Sequence, residues 1–187
     1  MATSRRQPLV VMGLGNILWG DDGLGVAAVR MLARRFDPPD GARVLDGGTL
    51  GLALLPIIQD AGRVLLVDAI RVGGAAPGTL VRIEGDEVAP AVRERLSAHQ
   101  VGVADLLEAA RLLDCYPERL VLLGMVPERL DFGFGLSTVV ERQLERLVNR
   151  VVEELLGWGY EFRARAASEE TLRGGAGDHA GGFRLRE

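Results

Sequence analysis

The chain has 187 residues and a formal net charge of −4, from 22 basic and 26 acidic side chains. This length fits one domain with a full hydrophobic core, and the acidic balance argues against a general nucleic-acid surface. The basic side chains are all arginines and Cys115 is the single cysteine, which excludes chemistry that needs a lysine amine and any intramolecular disulfide. No apolar run approaches the roughly 18 residues of a membrane span, and no signal peptide is recognisable, so we expect a soluble, cytoplasmic protein.

Apolar runs along the chain alternate between patterns typical of strands and of helices. In chain order they predict a strand at residues 9–15, a helix at 24–36, a strand at 43–46, a helix at 49–60, strands at 63–70 and 79–84, helices at 90–96 and 103–113, a strand at 119–126 and a helix at 138–156. Thr138 and Glu141 predict a capping box for the last helix. Because continuously apolar strands that alternate with helices form parallel sheets covered on both faces, we expect an α/β fold. The predicted architecture is a three-layer α/β/α sandwich around a mainly parallel, or mixed, sheet of about five strands.

The end of the chain has a different composition. From residue 163 onward it shows no apolar periodicity and is rich in glycine and arginine. We therefore expect residues 1–160 to form a single α/β domain and residues 161–187 to form a flexible tail.

Polar side chains follow several of the predicted strands. Asp21 and Asp22 lie in the loop after the first strand, Asp46 ends the second, and Asp68 lies near the end of the third. His99 precedes a predicted helix. Since ligands of open parallel sheets bind at the carboxyl ends of the strands, these side chains favour a metal site of carboxylate oxygens and one imidazole nitrogen.

Each of these side chains also has a structural interpretation. Asp21 or Asp22 is positioned to cap the next helix, as aspartates commonly do. Asp68 is positioned to anchor a loop through backbone amides, and His99 is compatible with an ordinary loop histidine. For each residue considered alone, the structural interpretation remains open as an alternative to the metal site.

The glycines after the first strand raise a further alternative, a dinucleotide-binding turn. Gly13 and Gly15 fit the fingerprint and Asp46 could imitate its ribose-binding acid, but Leu18 stands where the third glycine belongs. The adjacent aspartates would also repel a pyrophosphate. A nicotinamide-binding enzyme is therefore the weaker alternative.

The ordered set of motifs resembles that of the nickel–iron hydrogenase maturation endopeptidases. The motifs are residues 13–25 (GLGNILWGDDGLG), 46–49 (DGGT), 67–69 (VDA), 77–79 (PGT), 97–102 (SAHQVG) and 124–128 (GMVPE). The resemblance spans residues 9–156 and implies an endopeptidase that removes the C-terminal extension of the hydrogenase large-subunit precursor after nickel insertion, recognising the bound metal.

The resemblance also assigns roles to individual positions. Asp22, Asp68 and His99 match metal ligands, and Asp22 and Asp46 are the candidate catalytic residues. The glycines after Asp46 let a substrate strand approach closely. The predicted substrate-binding residues are Gly47, Gly48 and Thr49.

The cofactor implied is nickel supplied by the precursor, with zinc or cadmium able to replace it in a purified sample. The implied partner is the hydrogenase large-subunit precursor, and we expect a monomer that binds neither nucleic acid nor a membrane. Whether the metal or a carboxylate activates water is open. A non-cleaving assembly chaperone that holds the same precursor is the second alternative.

Overall fold

The computed structural model describes residues 8–94 and 101–165. Within these ranges the elements are, in chain order, β1 (Leu9–Leu14), α1 (Leu24–Arg35), β2 (Phe36–Asp37), β3 (Ala42–Gly48), α2 (Leu55–Gln59), β4 (Arg63–Ala69), β5 (Leu80–Glu84), α3 (Val88–Glu94), α4 (Val101–Leu112), β6 (Arg119–Met125), α5 (Thr138–Gly157) and β7 (Arg163–Ala164). Short 3-10 turns lie at Gly20–Gly23, Gly51–Leu54 and Gly85–Glu87. No helix in this part of the chain combines the length and the apolarity needed to cross a bilayer.

Five strands form one sheet in the order β3-β1-β4-β6-β5. The first four run parallel, and β5 at one edge runs antiparallel to β6. The predicted mainly parallel sheet is therefore confirmed, with one antiparallel edge strand.

Helices cover both faces of this sheet. Leu9 and Val11 of β1 pack into a core with α1 and α5, whereas Val10 and Met12 pack into a second core with α2, α3 and α4. Because successive side chains of a strand point to opposite faces, a strand buried on both sides is apolar at every position. This confirms the three-layer α/β/α sandwich.

Two glycines let α1 lie directly against the sheet. A Cβ at Gly25 would overlap the carbonyl oxygens of Val67 and Leu14, and a Cβ at Gly13 would overlap the carbonyl oxygen of Gly25. Close packing of the helix on the strands therefore requires glycine at both positions, independently of any role in ligand binding.

The helix predicted at residues 49–60 is shorter in the structure. Gly51 adopts a φ of +50°, and a Cβ there would come within 2.8 Å of the Cα of Gly102. That left-handed residue breaks the helical path, so a 3-10 turn precedes α2, whose first turn contains Pro56.

The predicted capping box is wrong by one residue. Ser137 is the N-cap of α5, and its hydroxyl accepts a hydrogen bond from the amide of Val140 at 3.4 Å. Thr138 is instead the first residue of the helix, so Glu141 lies one position too far along for a capping box.

The folded chain continues past residue 160, where the tail was predicted to begin. Phe162 is buried in the core, and β7 pairs antiparallel with β2. The amide of Arg165 donates to the carbonyl of Arg35 at 2.8 Å. Residues 162–165 are therefore packed or hydrogen-bonded against the domain, and residues 166–187 lie outside the described ranges.

Candidate active site

The carboxyl ends of β1, β3, β4 and β6 lie along one edge of the sheet, which brings three of the predicted acids to that edge. Asp46 of β3 lies opposite Gly13 of β1, and Gly13 lies opposite Val67 of β4, the residue before Asp68. The backbones of β3 and β4 are thus two strand spacings apart there, about 10 Å.

Asp22 is buried in the 3-10 turn that follows β1, with 1% of its surface exposed. Its Oδ2 accepts a hydrogen bond of 2.7 Å from the amide of Asn16. Gly15 has a φ of +113°, and a Cβ on it would overlap the carbonyl oxygen of Asp22. The loop therefore folds back onto Asp22, and a loop amide that a pyrophosphate could use is already bonded to a carboxylate. This weighs against the dinucleotide alternative.

Asp21 is fully buried and has a different task. Its carboxylate accepts hydrogen bonds from the amides of Glu128, Arg129 and Ser137 and from the Ser137 hydroxyl, over distances of 2.6–3.0 Å. Neither Asp21 nor Asp22 caps α1, because the N-cap is Gly23 and has no side-chain hydrogen bond. Asp21 instead anchors the loop between β6 and α5.

Asp68 is the penultimate residue of β4 and is 2% exposed. Its Oδ1 accepts a hydrogen bond of 2.7 Å from the amide of Ala69. The 3-10 turn that carries Asp22 packs against β4, so the two buried carboxylates occupy the same corner of the sheet.

Asp46 is more exposed than the other two acids and is held by an arginine. Nε and Nη2 of Arg30 both donate to Oδ2 of Asp46, at 3.2 and 2.8 Å. The pair borders a cleft of about 170 Å³, whose lining includes Asn16 and Ile17. Because the backbone amide of Asn16 also donates to Asp22, the cleft lies next to that buried carboxylate.

The residues after Asp46 shape the end of β3. The register with β1 shifts between Gly13 and Leu14, so the strand bulges at Gly47, where a Cβ would come within 2.7 Å of Met12. Gly48 has a φ of +45°. Gly48 and Thr49 line the cleft, whereas Gly47 is constrained by the core behind it.

His99, the third predicted ligand, lies outside the described residues. Within residues 8–94 and 101–165, no three His, Cys, Asp or Glu side chains are grouped so as to hold a metal ion. Asp22 and Asp68 nevertheless have the chemistry of metal ligands. A hydrogen bond from a backbone amide orients each carboxylate, as hydrogen-bond partners commonly orient the side chains that bind a metal.

Sequence reasoning missed Arg30 as a member of this site. It is the one charged residue between positions 24 and 33, inside a helix that is otherwise apolar there. That interruption was the available signal. The hydrogen bonds by which Asp21 holds the loop between β6 and α5 had no comparable local signal.

A family model described as hydrogenase maturation protease matches residues 26–154. The hydrogenase 2 maturation protease of Escherichia coli (strain K12) is 36% identical over 159 residues, which cover 85% of this chain and 97% of that protein. The chain belongs to the hydrogenase maturation protease family. It is accordingly a peptidase.

Other relatives and solved structures agree with this membership. The hydrogenase expression/formation protein HoxM of Azotobacter vinelandii is 40% identical over 88% of this chain and 80% of that protein. The solved structure of the hydrogenase maturating endopeptidase HybD from E. coli superimposes with a TM-score of 0.81, at 36% identity over 86% of this chain and 99% of that one. The [NiFe] hydrogenase maturation protease HybD from Thermococcus kodakarensis gives a TM-score of 0.64 at 30% identity, over 79% and 97% of the two chains.

Proposed function

We propose that this peptidase removes a C-terminal extension from the large-subunit precursor of a nickel–iron hydrogenase, and that it acts once nickel has been inserted. Asp22 and Asp68 carry the proposal. They are two nearly inaccessible carboxylates at the sheet edge where parallel α/β proteins bind ligands, in a chain of this protease family.

Nickel enters this proposal as part of the substrate. Carboxylate oxygens and imidazole nitrogens suit a divalent ion of borderline softness, so Asp22 and Asp68, with His99 as the predicted third ligand, could grip the precursor's metal from outside. Zinc or cadmium would occupy the same ligands in a purified sample. Recognition of the seated ion would then signal that nickel insertion is complete.

Asp46 is the side chain that we assign to proton transfer. Hydrolysis needs a base that takes a proton from water as the water oxygen adds to the peptide carbonyl, and that proton can then go to the departing amine as the C–N bond breaks. Asp46 borders the cleft, and Arg30 holds one of its oxygens in place. The precursor's nickel ion would supply positive charge beside that carbonyl. This assignment makes the enzyme aspartic in type.

We further propose that the protease works as a cytoplasmic monomer that binds neither nucleic acid nor a membrane. Its net charge of −4 supports the absence of a nucleic-acid surface, and a single cysteine suits a reducing compartment. Size-exclusion chromatography with light scattering measures the oligomeric state directly.

The decisive experiment mixes the protease with nickel-loaded and with nickel-free precursor and determines the product masses by mass spectrometry. We expect the loaded precursor to be shortened and the nickel-free precursor to remain intact. Asp46→Asn should bind the precursor normally and cleave it at least about 100-fold more slowly, which is a usual contribution of a general base.

Asp40→Asn is the matched control. Asp40 is exposed in the turn just before β3, at the opposite end of the strand from Asp46, so the same chemical change there should leave cleavage unaltered. Equal cleavage of the two precursors would reject nickel recognition. Binding without shortening would favour the chaperone alternative, and an unchanged rate in Asp46→Asn would remove Asp46 from the mechanism.

A further inference from the structure

Two loops at the carboxyl edge of the sheet are fastened together as one unit. They comprise residues 16–20 (loop A) and residues 128–135 (loop B). The amide of Gly20 donates to the carbonyl of Gly133 at 2.9 Å, and the amide of Gly133 donates to Leu18 at 2.9 Å. The carboxylate of Asp21, directly after loop A, accepts from the amides of Glu128 and Arg129. Backbone pairing and a buried charge therefore fix the relative position of the loops.

Five of the side chains on these fixed loops are apolar and exposed to solvent. We call this set the apolar platform; it consists of Ile17, Leu18, Trp19, Phe132 and Phe134, all of them exposed. Trp19 and Phe132 meet edge to face with ring centroids 6.3 Å apart. Phe132 and Phe134 are 71% and 75% exposed. Among the described residues, every exposed aromatic side chain belongs to the platform.

Folding does not account for this arrangement. Exposed phenylalanines bury little of their apolar surface, and contiguous exposed apolar patches on proteins mark interaction sites. Rigid aromatic side chains are also typical anchors of binding interfaces, because they lose little conformational freedom when they bind.

The platform is continuous with the candidate active site. Ile17 belongs to the platform and also lines the cleft beside Asp46. The neighbouring residue, Asn16, donates its amide to Asp22. A peptide that enters the cleft with its scissile bond near these acids brings the rest of its protein against loops A and B.

We propose that the apolar platform docks an apolar segment of the hydrogenase large-subunit precursor next to the cleavage site. The inference rests on the proposed function, since that function identifies the substrate. The platform supplies affinity and the acids supply chemistry, so the two contributions can be separated by mutation.

The test compares precursor binding and cleavage by the wild type and by the double variant Phe132→Ser/Phe134→Ser. Nickel-loaded precursor is titrated for binding in an Asp46→Asn background, and KM and kcat are measured with Asp46 intact. We expect Kd and KM to rise roughly tenfold or more while kcat changes little, as for loss of aromatic anchors. Phe132→Leu/Phe134→Leu keeps the surface apolar and should recover most of the affinity.

Leu112→Ser is the matched control. Leu112 is 87% exposed at the end of α4, before β6 begins, so it lies toward the opposite edge of the sheet. Its replacement should leave Kd and KM unchanged. An unchanged Kd in the double serine variant would overturn the docking proposal. So would a wild-type dimer, seen by sedimentation, that the variant abolishes without any change in Kd, because the occupant would then be a second copy. If the wild type bound the precursor through the platform but never cleaved it, docking would stand and the proposed function would fail.

Discussion

Asp21 offers the sharpest test of how the loops around the site are held. Its Oδ1 accepts from the Ser137 amide, and its Oδ2 accepts from the amides of Glu128 and Arg129 and from the Ser137 hydroxyl. Asp21→Ala removes all four acceptor contacts and leaves their donors inside the protein. Asp21→Asn keeps the shape but replaces one oxygen with an amino group, which must face at least one N–H.

The expected losses of stability follow from these contacts. At about 1 kcal/mol per hydrogen bond, Asp21→Ala should lower the free energy of unfolding by about 4 kcal/mol. Asp21→Asn can keep the three contacts of Oδ2 by turning its carbonyl toward them, so it should cost about 1–3 kcal/mol for one unsatisfied buried donor. Since small domains are stable by only about 5–15 kcal/mol, the alanine variant should be severely weakened.

Urea denaturation measures the global effect, and amide hydrogen exchange shows whether the loop opens on its own. Exchange at Glu128, Arg129 and Ser137 should accelerate in both variants, even if the loop detaches without global unfolding. Asp131→Ala is the control on the same loop, because Asp131 is exposed and pairs with Arg129 only at the surface, which is worth at most about 1 kcal/mol. If Asp21→Ala matched the wild type in stability and in exchange at these amides, the anchoring role would be refuted.

Two further predictions concern parts of the fold away from the loops. Hydrogen bonds from Arg82 hold the pKa of Glu154 below its usual range. Ionised Glu154 therefore stabilises the fold fully at pH values above its unfolded-state pKa, which is about 4.3. This contribution is lost as the pH falls through the lower folded-state pKa. The stability advantage of the wild type over Glu154→Gln should therefore shrink on acidification below about pH 4, and a difference that stayed constant with pH would contradict this. Gly25→Ala should lower the free energy of unfolding by about 1–3 kcal/mol or more, because the new Cβ would overlap two carbonyl oxygens. Gly157→Ala is the control at the open end of α5, and it should be neutral or slightly stabilising in the same thermal or urea unfolding experiment. Equal effects of the two substitutions would contradict the close-packing argument.

The sheet could be predicted because its strands are buried on both faces. β1, β4 and β6 were located to within one residue, since an uninterrupted apolar run in this fold class has few other interpretations. Elements that depend on distant contacts were less predictable. Gly51 takes its left-handed conformation against Gly102, and β7 pairs with a two-residue strand more than a hundred positions earlier.

The sequence predicted the edge of the sheet at which Asp22, Asp46 and Asp68 lie, but it did not predict the contacts that each acid makes there. The local residue pattern could not distinguish Asp21 from Asp22, and only the family resemblance singled out Asp22, because the donors that bind Asp21 lie on a distant segment at residues 128–137. The same contact explains the error at the helix cap. Ser137 and Thr138 are both suitable caps, and Ser137 is the one whose amide and hydroxyl also bind Asp21.

The two adjacent aspartates connect the proposed docking surface to the candidate active site. Consecutive residues of a 3-10 turn point about 120° apart, since three residues complete a turn. Asp21 therefore faces loop B while Asp22 faces the amide of Asn16. One side chain builds the platform and its neighbour presents a carboxylate at the candidate site. Because these contacts already hold the platform and Asp22 in place, a precursor seated on the platform would lie a single turn of backbone from Asp22, and docking would align the precursor with that carboxylate.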